Sequence, residues 1–233
     1  MNPESEKTIA ETPREALVHM VPPEDLEAQA RALLQAGKFD ELHWVCLKAE
    51  LPEAFLLELC ENPELRCALA HRMGPLSLLH RLADQGEYSE PVQTLGQIYY
   101  REAVESTAQL AAFLQRHRWC RDVFATLIYD ADLDDPRLAV VLSQMRGAEF
   151  EADLLELLAK LRRIEQAAVE TDPTQIMQLA GLREPGVLRA IAQNPHTPES
   201  LLLELSQLRQ IPHCRLIRVA AQAQLDARSR MKS

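Results

Sequence analysis

NPHTPESLLLEL, residues 194–205, sets two prolines three apart and then runs straight into leucines. Proline fits the first turn of a helix, where its missing N–H has no intrahelical partner to lose. It also pushes the residue before it away from helical geometry, so each proline closes one segment and opens the next. The leucines that follow form an apolar stripe too wide for a coiled-coil seam. A helix of three turns is marginal in water, so such a stripe has to be buried against neighbours. The stretch therefore predicts short helices punctuated by proline, with Thr197 as a candidate N-cap ahead of Pro198.

The same phrase recurs. Pro52 to Cys60 reads PEAFLLELC, Pro75 to Ala83 reads PLSLLHRLA, and Pro198 to Ser206 reads PESLLLELS. A shortened copy runs from Pro173 to Ala180, with Asp172 as its candidate cap, and ADLLELLA (152–159) is a fifth version with Ala152 in the proline slot. A second phrase is interleaved: Pro63-Glu-Leu-Arg-Cys-Ala-Leu-Ala matches Pro185-Gly-Val-Leu-Arg-Ala-Ile-Ala, with looser versions at Pro136 and Cys214. The two alternate with a period of about two dozen residues, in the range of stacked repeat proteins. Leu56, Leu79 and Leu202 are expected to be buried at equivalent places. Upstream, EDLEAQARALLQAG opens behind Pro23 with Leu26, Ala30, Leu33 and Leu34 on one face and Gly37 as its stop. Phe39, Leu42, Val45, Cys46 and Ala49 continue the helical spacing.

Composition agrees. The chain has 233 residues, 47% of them hydrophobic, with 5% aromatic residues and seven glycines. That is too little turn glycine and strand-forming residue for a sandwich or barrel, so the expected class is all-α. Polar, proline-punctuated residues 1–22 read as a flexible leader, and 23–233 as one helical repeat domain with clear repeats at 50–84 and 172–222 and a degenerate middle at 87–170. No apolar run approaches the length of a membrane span, no secretory leader is evident, and five scattered cysteines do not form a disulfide framework. A reduced, cytoplasmic protein is expected.

QNPHTPESLLLELS resembles the unit of the leucine-rich repeat variant family, an α-solenoid related in style to HEAT repeats. The resemblance is closest over 185–222, fair over 50–84 and weak over 87–170. It implies a right-handed, curved stack in which α-helices pair with shorter helices. Some members of that family carry an iron–sulfur cluster on closely spaced N-terminal cysteines. This chain has no such knot, and no cofactor is expected.

Four side chains have zinc-ligand character: Cys60, Cys67, His71 and His80. Cys60 falls in the slot of Ala83 and Ser206, His80 falls in that of Leu203, and no close Cys-x-x-Cys pair exists, so packing is the expected role. Asp130, Asp132, Asp134 and Asp135 start like a calcium loop, but Asp135 takes the turn-glycine slot and Val141 the bidentate Glu slot. A solvated loop with Asp135 capping the helix from Pro136 is expected instead. Arg116-His117-Arg118-Trp119-Cys120-Arg121 is the densest basic-aromatic run, and Tyr99-Tyr100-Arg101 is of the same kind. Such residues can clamp a phosphate or stack a base; the first run reads equally as a solvated helix edge with Trp119 turned into the core. Arg215, Arg218, Arg228, Arg230 and Lys232 read as a polar cap on the last repeat.

Neither a nucleophile elbow nor a phosphate-cradling glycine loop is present. Stacked helices usually work by holding a partner, so the expected function is a non-catalytic interaction scaffold. Its expected surface spans residues 95–121, namely Tyr99, Tyr100, Arg101, Arg116, His117, Arg118, Trp119 and Arg121. A formal charge of −10 favours a protein or peptide partner of basic or mixed charge and weighs against nucleic acid and its dense phosphates. The alternative is a HEAT-like nucleic-acid enzyme similar to the alkylpurine DNA glycosylases, drawing on Trp44, Trp119 and the Arg116–Arg121 run.

Overall fold

In the computed structural model, residues 23–72, 74–104 and 106–232 are described; the expected leader at 1–22 lies outside them. The described residues form fourteen α-helices and no strand, so the chain is all-α. They fall into two compact units, one built from residues up to 130 together with 134–148, the other from 131–133 and 149 onward.

Unit 1 comprises α1 (Pro23–Gln35), α2 (Phe39–Lys48), α3 (Glu53–Cys60), α4 (Pro63–Ala70), α5 (Leu76–Gln85), α6 (Ser89–Glu102), α7 (Ala108–Arg116), α8 (Arg121–Asp130) and α9 (Pro136–Met145). Most neighbours in sequence pack together, and so do alternate helices: α2 on α4, α3 on α5, α6 on α8 and α7 on α9. Unit 2 comprises α10 (Glu151–Val169), α11 (Pro173–Gly181), α12 (Pro185–Gln193), α13 (Glu199–Ser206) and α14 (Cys214–Lys232), with α10 on α12 and α12 on α14.

The leucine phrases do what their spacing predicts. Leu56, Leu79 and Leu202 are all buried on α3, α5 and α13, alongside Phe55, Leu78 and Leu201. The prolines divide into two kinds. Pro63, Pro136, Pro173 and Pro185 stand at the first helical positions, behind Asn62, Asp135, Asp172 and Glu184. Asn62, Asp135 and Asp172 each accept an N–H of the first turn, from Glu64, Arg137 and Thr174 at 2.8–3.0 Å. Pro52, Pro75 and Pro198 are themselves the N-cap, with extended ψ of 140°, 152° and 141°. Their carbonyls accept the first helical bonds, as Pro198 does from Leu202.

Thr197 is thus not the cap of α13. Its hydroxyl donates back to the Ile191 carbonyl at 2.6 Å and binds the turn to the end of α12. Gly37 ends α1 at φ +66°, a left-handed geometry that glycine adopts without strain. The segment 152–159 lies inside α10, which runs for 19 residues and leaves Leu155 exposed while Leu154 and Leu158 are buried.

Candidate functional site

On α5, Leu78, Leu79, Leu82 and Ala83 face the core. His80 and Asp84, four apart, therefore share the other side of the helix. On α6, Val92, Leu95, Gly96 and Tyr100 turn inward and Tyr99 stays half-buried. Gly96 lets α6 approach α8 closely, since a Cβ there would sit 2.4 Å from Val123 Cγ2. On α7, Leu110, Phe113 and Leu114 are buried, Arg116 ends the helix, and His117 follows as its C-cap, donating its N–H to the Phe113 carbonyl.

These three helices enclose an open pocket of about 380 Å³, lined among others by His80, Asp84, Tyr99, Phe113, Arg116 and His117. Its rings form a chain. The Tyr99 ring lies edge-on to His80 at 6.0 Å and tilted on Phe113 at 4.9 Å; Phe113 meets His117 at 4.6 Å. Tyr99 Oη and His80 Nε2 are 3.4 Å apart. Across the rim, Arg116 pairs with Asp84 at 3.0 Å. His117 is 3% exposed, and its Nδ1 is buried with no hydrogen-bond partner among the described residues. An unpaired buried nitrogen costs roughly 1–3 kcal/mol. Burial holds the His117 imidazole below its ordinary pKa, against the opposing pull of Asp84.

Three of the eight residues expected to bind a partner, Tyr99, Arg116 and His117, meet in this pocket. The other five lie elsewhere. Tyr100 is buried beneath Arg137, whose guanidinium stands 4.6 Å over the ring, donates to the Tyr100 carbonyl and pairs with Asp135 at 2.6 Å. Arg101 donates to the Gln97 carbonyl within its own helix, and Arg118 to the Arg146 carbonyl. Arg121 opens α8 on the surface. Trp119 is 47% exposed, so its expected place in the core is not where the structure puts it. The indole falls in the short link between α7 and α8, where the buried positions belong to His117 and Cys120.

Asp84 and Phe113 escaped the sequence reading, and His80 entered it only as a zinc candidate. The usable signal was the His80–Asp84 spacing on the polar side of a leucine-faced helix. Cys60 is buried beside Gln85, Cys67 is exposed, His71 stands 3.5 Å from Glu90, and His80 meets Tyr99. No group of three or more His, Cys, Asp or Glu among the described residues is arranged to hold a metal ion. In the acidic loop, Asp135 caps α9 as expected and Asp130 accepts from Gln97. Of the C-terminal basic cluster, Arg228 donates to the Pro195 carbonyl.

No protein-family model matches the chain, and neither a curated protein nor a solved structure matches it. No helix among the described residues is long and apolar enough to cross a membrane.

Proposed function

We propose that the protein is a non-catalytic interaction module that holds a protein or peptide partner of basic or mixed charge at the pocket between α5, α6 and α7. The observation that carries this reading is the convergence of Tyr99, Arg116 and His117 with His80, Asp84 and Phe113 around one open cavity. A surface combining aromatic walls, a polar rim and a few anchoring charges has the makeup of a binding patch. Its groups are matched to one another, Arg116 with Asp84 and Tyr99 with His80, rather than as a nucleophile with its base.

We further propose that the helices are solenoid-like repeats, right-handed as the family resemblance implies. The packing of alternate helices within each unit supports this, as does the burial of Leu56, Leu79 and Leu202.

The test is affinity co-purification of the full chain from a lysate of its own organism, beside a His80→Ala/Tyr99→Ala variant and a nuclease-treated control. A stoichiometric protein retained after nuclease and lost with the variant is the expected result. Recovery of nucleic acid, or of proteins released by nuclease and by moderate salt, would replace this reading with the glycosylase-like one.

A further inference from the structure

We infer that the pocket between α5, α6 and α7 is a slot for an arginine side chain presented by the partner, with Asp84 as the carboxylate that receives it. This rests on the pocket being the partner site and names what enters it.

Two observations converge. The walls are aromatic, with Tyr99 and Phe113 at 4.9 Å and His80 edge-on to Tyr99. Ring faces attract cations, and a flat guanidinium stacks on them better than a round ammonium. Asp84 already receives a guanidinium, that of Arg116 from the facing helix. That pair is exposed, to 65% at Arg116 and 40% at Asp84, so an incoming arginine displaces it with little loss. Arg116 acts as a placeholder that keeps the carboxylate poised. A guanidinium presents its N–H donors in a rigid fork that matches a carboxylate, whereas lysine brings three donors on one strongly hydrated point.

Anions fit this pocket poorly. An anion drawing Arg116 away would leave the Asp84 carboxylate unpaired beside it, and burial disfavours the charged form of His117. The formal charge of −10 draws basic peptides toward the surface.

The test titrates acetyl-Gly-Arg-Gly-amide into the nitrogen-labelled full chain, with citrulline and lysine peptides as controls, and follows backbone signals by nuclear magnetic resonance. The arginine peptide is expected to shift signals of Asp84, Tyr99, Phe113 and His117 and to bind about tenfold more tightly than the lysine peptide, the worth of one charge-assisted fork. The uncharged citrulline peptide, of the same shape, should fall below both. Asp84→Asn should lose about tenfold or more. Arg116→Gln should gain about two- to fivefold, the most that an exposed ion pair holds back. Equal binding of the citrulline peptide, indifference to Asp84→Asn, or weaker binding by Arg116→Gln overturns the slot; the variants' own spectra report whether they are folded. A failed arginine peptide alongside lysate capture that still needs His80 and Tyr99 overturns the slot and leaves the partner pocket standing. Capture indifferent to His80 and Tyr99 removes the partner pocket itself.

Discussion

Arg72 in unit 1 and Asn194 in unit 2 perform the same task with different chemistry. Each stands nine residues after the proline that opens its helix, Pro63 or Pro185. Arg72 Nη1 donates to the carbonyls of Cys46 (2.8 Å) and Ala49 (3.2 Å), six and three residues ahead of Pro52. Asn194 Nδ2 donates to those of Ala167 (2.9 Å) and Glu170 (2.7 Å), six and three residues ahead of Pro173. Both pairs lie at the end of the helix two elements earlier, α2 or α10, where carbonyls lack a helical partner. The two donors differ in how well they are satisfied. Asn194 is buried, and its Oδ1 also accepts the His196 N–H at 2.8 Å. Arg72 Nε is buried without a partner, and burial lowers the pKa of its guanidinium. Spacing from the helix-opening prolines specifies which carbonyls need a donor; it does not specify the donor.

The largest effect is expected at Asn194. Asn194→Ala removes a buried amide and strands two carbonyls and one N–H in a partly buried turn, and it should cost about 2–4 kcal/mol of stability. Both tryptophans, Trp44 and Trp119, belong to unit 1, so their fluorescence follows that unit while circular dichroism follows both. The variant should lower the dichroism transition and leave the fluorescence transition in place. If the two move together, the units unfold as one and the contrast between them is not thermodynamic.

This shared role was hidden in the sequence because Arg and Asn have no side-chain type in common. What was legible was local chemistry. Proline punctuation, the Asp135 and Asp172 caps, the Gly37 stop and the burial of Leu56, Leu79 and Leu202 all follow from residues within one turn of each other. Thr197 misled because a hydroxyl before proline has two backbone targets, and the Ile191 carbonyl behind it prevailed over the helix ahead. The candidate site was legible by halves. Tyr99, Arg116 and His117 belong to conspicuous runs, but Asp84 lies on α5 and is joined to them only by tertiary packing.

Acid should separate the units next. The Arg137 side chain holds the Asp135 carboxylate at a pKa of about 2, well under its ordinary 3.8. A depressed carboxylate contributes stability above its unfolded pKa and loses it as pH falls through its folded one. Unit 1 should therefore lose on the order of 2 kcal/mol between about pH 4 and pH 2. The depressed pKa of His117 acts in the same direction, because its unfolded form takes up a proton first, so an earlier loss begins as pH falls below 6.5. Unit 2 carries its depressed carboxylates, Glu156 and Glu170, at the surface, where solvent screens them. Tryptophan fluorescence should report unfolding at higher pH than dichroism, and Asp135→Asn should remove the step below pH 4. Coincident acid transitions would break the comparison.

The smallest effect is expected where the donor is least satisfied. Arg72→Met keeps the aliphatic stem against α2 and removes the guanidinium, so the Cys46 and Ala49 carbonyls lose their bond while a half-buried cation no longer has to be desolvated. The two effects oppose each other, and a net loss of about 1 kcal/mol is expected, seen by fluorescence rather than in the unit 2 transition. The thiol of Cys46 adds a second readout. Burial pushes its pKa up to about 11 while Arg72 pulls it down, so removing Arg72 should disfavour the thiolate further. Native-state alkylation of Cys46 should therefore stay slow in the variant, well behind exposed Cys67. A loss as large as that of Asn194→Ala, with Cys46 becoming reactive, would show that the cation seals the end of α2 as completely as the amide seals α10. The carbonyl pair would then set the energy whichever donor answers it.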